Sequence, residues 1–443
     1  MHIFLKKSIV LSFVMAIMGI IIFGSGVIVN SNITSAANKK VELHFMHFFT
    51  KGDARHGVVV QVLKDFAAKN PDIIVKEDAL AHDLYQTKVE TLGASRQLPD
   101  VFFMKGNWAE EFSKAGGIKP CNDILKADPV LKNAFLSSAL ANHIYKGKIY
   151  SLPYTMDLNA LMYYNKPLFD KYNLQFPKTW DELLNVIKVF NTNSIIPIAL
   201  GNKDQWLVPT GWLSCYTALI GGPDYMNKLC FENAKYTQKP YIEALKAMQT
   251  LVEVNAFNKD FNSIDNYQMY GLYGTEKVAM FSAGSWAAST LVENVSKEIS
   301  DNTRIGVMPV YPNGKGELYT IAGGSGWGVN INAKLTGAKR AAAIKLMKAF
   351  CDQKFAKYLI EIANMPPALK DVQYDHNKVP ALFNQIIEVQ KKAKVTPVFD
   401  QVIHPELIDV MNKTTQAVMA KDMTPEKAAA KVQAVKDRLQ RRK

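Results

Sequence analysis

Polar and apolar residues alternate through Val41-Glu-Leu-His-Phe-Met-His and then give way to Phe48-Phe49, the pattern of a strand that ends in an apolar turn. From Gly57 to Lys69 the apolar positions of GVVVQVLKDFAAK recur at helical spacing, and Ile73-Ile74-Val75-Lys76 reads as a second strand. Asp100-Val-Phe-Phe-Met104 reads as a third strand, after a helical stretch whose end is marked by Leu98-Pro99. Farther on, Thr179 with Glu182 three residues later predicts a capping box ahead of Leu183, Leu184 and Ile187. Pro240 to Val254 predicts another amphipathic helix, RIGVMPVYP from Arg304 a short strand, and Thr424-Pro-Glu the start of a last helix. Strands alternating with helices imply an α/β protein with a parallel or mixed sheet covered on both faces. Such sheets place binding residues in loops at the carboxyl ends of strands. That rule directs attention to His47 to Thr50, to Lys105-Gly-Asn-Trp108, and to the cluster around Tyr154 and Asp157.

The first 37 residues follow a different pattern. Lys6-Lys7 precede an apolar run from Ile9 to Val29, and Ser35-Ala36-Ala37 supplies small residues for cleavage before Asn38. Residues 1–37 therefore read as an export signal. The run approaches the roughly 20 residues that span a bilayer, so an uncleaved anchor is the alternative. No cysteine follows closely, which leaves a bacterial lipid attachment without an acceptor and argues against a lipoprotein. Either way the bulk of the chain is expected outside the cytoplasm. Its 443 residues, 48% hydrophobic and 10% aromatic, suffice for two or three domains with sizeable cores. The net charge of +13 raises the question of nucleic acid, but the lysines are spread over helical segments apart from the terminal DRLQRRK, as on solvated helix faces. No nucleic-acid partner is expected. Cys121, Cys215, Cys230 and Cys351 stand far apart, and pairing of Cys215 with Cys230 and four buried thiols remain equal readings.

Catalytic motifs are missing: there is no GxSxG, no HExxH and no phosphate loop ending in a lysine, since Gly323-Gly-Ser-Gly-Trp327 lacks one. His44 and His47 fall on opposite faces of a strand, which disfavours a shared metal. No cofactor, metal or catalytic residue is expected, although a carboxylate pair of the glycosidase kind leaves no motif and keeps a carbohydrate-active enzyme as the alternative. The chain does offer indoles. Trp180 sits beside a helix cap, whereas Trp108, Trp206, Trp212, Trp286 and Trp327 lie near Gly-, Ser- or Asn-rich turns. A sugar presents an apolar face and a fringe of hydroxyls, so its pocket needs aromatic plates and hydrogen-bonding groups together.

The run IYSLPYTMDLNALMYYNKPLFDKYNLQFPKTWDELL, from Ile149 to Leu184, resembles the hallmark of the family 1 extracellular solute-binding proteins, the maltose-binding-protein-like sugar-binding components of ABC transporters. Leu152-Pro153, Asp157, Tyr164-Asn165-Lys166 and Thr179-Trp180-Asp181-Glu182-Leu183 fit that pattern, with Ser151 in place of the usual glycine. LPDVFFMKGNWAEEFSKAGGIKP, KVAMFSAGSWAAST, RIGVMPV and GGSGWGVN fit later landmarks in the same order. The resemblance implies a two-lobed periplasmic-binding-protein fold with a hinge and an interlobe ligand cleft. Residues 38–155 and 310–362 would form one lobe, and 156–309 and 363–443 the other. It further implies a monomer that captures a carbohydrate without chemical change and delivers it to the permease subunits of an ABC importer. A membrane-anchored sugar sensor is the other alternative.

Carried onto this chain, the resemblance makes Trp286 a stacking platform, with Gly284 letting the backbone approach the ligand and Ser285 donating a hydrogen bond. Trp327 with Gly324 and Ser325, Trp108 with Asn107, Tyr154, Trp212 and His47 are further ligand candidates, and Asp157 is an acceptor for sugar hydroxyls. Burial in a core is the competing reading for each indole. Several plates favour an oligosaccharide, and the basic balance leaves room for an acidic sugar.

Overall fold

The computed structural model describes residues 40–442, and the expected signal or anchor segment, residues 1–37, lies outside them. Among the described residues no helix is long and apolar enough to cross a membrane. The first sheet has the strand order Ile73–Ala79, Val41–His47, Val101–Lys105, Trp327–Ile331, Leu152–Pro153. Its first three strands run parallel and its last two pair antiparallel. A second sheet is ordered Thr303–Val307, Leu161–Asn165, Val278–Ala283, Ile196–Ala199, and a third joins Lys394–Thr396, Thr320–Gly324 and Asp157–Leu158. Two large apolar cores result, one beneath each of the main sheets. The protein is thus a two-lobed α/β fold.

Local chemistry accounts for the elements that position the cleft. The first helix runs Ala54–Lys69, three residues longer at its start than the apolar periodicity suggests, because the Asp53 side chain caps it by accepting from the Arg55 backbone N–H. The capping box forms as expected: Thr179 Oγ1 accepts from the Glu182 N–H at 3.3 Å while Glu182 Oε2 accepts from the Thr179 N–H at 3.2 Å. Val278–Ala283 is buried at every position because strands flank it on both edges, so its apolar character is continuous rather than alternating. His44 is exposed and His47 fully buried, on opposite faces of their strand. All four cysteines are free thiols.

Two stretches lie on the other side from the expected lobe boundaries. Residues 310–322 stay with the second lobe: the Val310 N–H donates to Lys178, and Ile321 and Ala322 belong to that core. The chain returns between Gly324 and Trp327, where strand partners change from Asp157–Leu158 to Val101–Lys105. Ala363 to Leu369 remain with the first lobe's core, and Pro366 and Ala368 bond to Met156 and Tyr154 beside the first crossing. Crossings are set by which sheet edge offers backbone partners.

Candidate functional site

Between the lobes lies a cleft of about 530 Å³. Its aromatic lining is continuous across the gap. Phe48 meets Trp327 at 4.6 Å between ring centroids, Trp327 meets His82 at 5.6 Å, His82 meets Trp206 at 5.7 Å, and Trp206 meets Trp286 at 6.1 Å. The first three rings come from the first lobe and the last two from the second. Trp286 occupies the N-cap position of the helix Ala287–Asn294 and, among the described residues, is the partly buried side chain that packs against both large cores.

Charged groups complete the lining. Arg55 grips Asp53 through Nε at 2.8 and 2.9 Å and through Nη2, and its guanidinium lies 4.9 Å above Phe49. Burial opposes the charge on Asp53, but Arg55 outweighs it and holds the carboxyl below its ordinary value. Lys105 spans the lobes to Asp400 at 3.2 Å and lies 5.5 Å from the Trp327 ring. Asp157 accepts from Thr155 Oγ1 at 3.0 Å and Ser285 Oγ at 3.3 Å, and burial pushes its carboxyl up to about 6 despite those donors. Asp204 is also raised, first by burial and then by the negative charges of Asp83 and Asp265. The wall therefore offers flat apolar plates and hydrogen-bond acceptors, the complement of a polyhydroxylated ring. Among the described residues no cluster of His, Cys, Asp and Glu is suited to a metal ion.

Of the ligand candidates named from the sequence, Trp286, Trp327, Asp157 and Tyr154 line the cleft together. The rest stand behind it or away from it. Trp108, 1% exposed, buttresses Trp327 edge-on at 5.3 Å, and Asn107 Nδ2 donates across the lobes to the carbonyls of Asp400 and Ile403. Trp212 is a core residue of the second lobe stacked on Tyr216. A Cβ on Gly284 would come within 2.0 Å of the Trp286 ring, so this glycine makes room for the indole and not for a ligand. Ser285 is fully buried and orients Asp157. Gly324, at φ +146, turns the chain at the crossing, and a Cβ there would strike Asn142. Ser325 is buried against His143 Nε2 at 3.0 Å. His47 accepts the Phe49 N–H at Nδ1, which leaves Nε2 to donate to Glu77 at 3.0 Å; it shapes the turn that presents Phe48 and Phe49. These corrections share a cause: strand-end loops supply both the lining and the layer that holds it. Sequence reasoning missed Arg55, His82, Asp204, Asp265 and Tyr267, and left Trp206 out of the ligand candidates. The Asp53-Ala-Arg55 spacing before a helix was the available signal for Arg55.

A family profile described as bacterial extracellular solute-binding protein matches residues 57–364. The chain belongs to this family. Among its relatives, the Multiple sugar-binding protein of Streptococcus mutans is 24% identical over 369 residues, covering 82% of this chain and 84% of that one. The solute-binding fold is matched at TM-score 0.83 by a structure tied to xylan utilization by the thermophilic bacterium Caldanaerobius polysaccharolyticus, 25% identical, covering 89% of this chain and 99% of the other. A Chitin oligosaccharide binding protein matches at the same TM-score and identity, covering 90% and 99%.

Proposed function

We propose that this solute-binding protein captures a carbohydrate between its lobes, outside the cytoplasm, and delivers it to the membrane permease of an ABC importer. The observation that carries the reading is the belt of rings from Phe48 to Trp286, laid across both lobes beside the carboxylates Asp157 and Asp204 that line the cleft. Trp206, Trp286 and Trp327 are the stacking plates, and Asp157 and Asp204 take the hydroxyls; each plate contributes about 0.5–1.5 kcal/mol beyond area burial. The names of its relatives, which include sugar- and oligosaccharide-binding proteins, support the same ligand class. In this reading the chain acts as a monomer, exported by residues 1–37 and carrying no lipid. A thermal-shift screen over a sugar library, followed by calorimetry of the best hits on the wild type and on Trp206→Ala, tests it. A saccharide that raises the melting temperature and binds more weakly to the variant is expected. A library with no hit, or a hit whose affinity ignores Trp206, rejects the assignment.

A further inference from the structure

The turn Gly106–Trp108 of the first lobe grips one short helix of the second. Trp108 roots the turn in the first core, and a Cβ on Gly106 would come within 1.8 Å of the Asn142 carbonyl, so the bare glycine lets the turn lie against Asn142. The helix, Phe399–Val402, is rooted in the second core by Phe399, whose N–H also donates to Ser214 Oγ at 3.2 Å. Asn107 Nδ2 donates across the gap to the carbonyls of Asp400 and Ile403 at 3.0 and 2.8 Å. Carbonyls at the end of a helix have no donor within it, and one amide supplies both. Asn107 Oδ1 is buried with no partner among the described residues, so the two carbonyls alone fix which way the amide faces. Asn142 Nδ2 donates to Gln401 Oε1 at 3.0 Å and to the Ser325 carbonyl at 3.2 Å, and Gln401 Nε2 donates to Asn159 Oδ1 of the second lobe at 3.3 Å.

These contacts stand in a gap. Lys105 and Asp400, paired beside them at 3.2 Å, line both the aromatic cleft and a second interlobe cavity of about 560 Å³ behind it. The lobes stand apart on either side, and the joint is a post of side chains between them. A hydrogen bond exchanged for water is worth little net, and a buried ion pair roughly balances its lost hydration. Such a joint biases an equilibrium without locking it. Asn107 and Asn142 do not themselves line the cleft, so their bonds need no ligand.

We propose that Asn107 and Asn142 are positioning residues that clasp the ligand-free protein shut, holding the helix Phe399–Val402 to the first lobe and keeping the two walls of the cleft face to face before anything enters. The binding-competent arrangement is then preformed, and apparent affinity scales with the clasped fraction. The clasp uses the two-lobed fold and not the carbohydrate reading. Small-angle X-ray scattering of the ligand-free protein tests it on the wild type, on Asn107→Asp and on the double variant Asn107→Ala, Asn142→Ala. Asn107→Asp keeps the shape of the side chain, removes both donors and sets a carboxylate against two carbonyls. The wild type is expected at the radius of gyration of a compact chain of this size, about 21–22 Å, and both variants larger by about 1 Å with unchanged circular dichroism. Intact dichroism separates rotation of whole lobes from damage within one, and the double variant serves if Asn107→Asp fails to fold. Equal radii in the wild type and a folded variant overturn the clasp, whether all are compact or all expanded. No sugar is present in the measurement, so that failure leaves the carbohydrate reading standing.

Discussion

The two walls of the cleft are built on different electrostatic plans. On the first-lobe wall the charges are already matched, Arg55 with Asp53 and Lys105 with Asp400 from across the gap, and Asp83 is hydrogen-bonded to His82 Nδ1 at 2.8 Å. Its indole is backed as well, Trp327 by Trp108. On the second-lobe wall Asp157, Asp204 and Asp265 face the cleft without a salt bridge among the described residues, and Trp286, at a helix N-cap, meets Trp206 of the same wall at 6.1 Å between ring centroids. One wall carries paired charges, and the other holds carboxylates with no cationic partner among the described residues. A ligand can thus dock on the first at little electrostatic cost and draw its polar discrimination from the second.

Breaking the matched wall should produce the largest effect. Asp53→Asn leaves the Arg55 charge buried without its partner, and we expect a loss of about 3–5 kcal/mol in denaturant unfolding; a loss under about 1 kcal/mol means that the pair is not what holds the wall.

Asp157→Asn acts on the open wall with the opposite sign. Its carboxyl titrates near 6 in the folded chain and near 3.9 when unfolded, so the native state binds the extra proton and stability falls as pH rises from about 4 to about 6. The asparagine variant should gain up to about 3 kcal/mol relative to wild type over that window, read from unfolding midpoints across pH; parallel pH profiles for the two proteins contradict the sign.

Trp286→Ala should lower sugar affinity about tenfold to a hundredfold by calorimetry, roughly 1.4–2.8 kcal/mol, while the chain still folds. Undiminished affinity in a folded variant removes Trp286 from the binding wall.

The smallest effect is expected at the mouth. Asp204→Asn relieves repulsion from Asp83 and Asp265 and should stabilise the free protein by about 0.5 kcal/mol while weakening binding, a trade visible as opposite shifts in melting temperature without and with sugar.

How much of this was legible beforehand depends on the range of the interaction that decides each feature. The capping box at Thr179, the terminal helix after Thr424 and the first three strands are decided within a few residues, and local pattern reads them directly. Trp212 and Trp286 both follow small residues and look equivalent along the chain. They part only in three dimensions, where one is stacked inside the second lobe and the other reaches the gap. Gly284 looked like an opening toward ligand, but its reason is the neighbouring ring two residues on. His82 had no local signal at all, since its role exists only because Trp206, far away in sequence, meets it from the opposite lobe.

The position of Trp286 against both cores gives the molecule an intrinsic optical reporter. Any rotation of the lobes changes how much water reaches that indole, so its emission should shift in colour with closure while Trp180 and Trp212, sealed within one lobe, supply a steady background. Stopped-flow fluorescence on the unlabelled protein can therefore time capture and release directly.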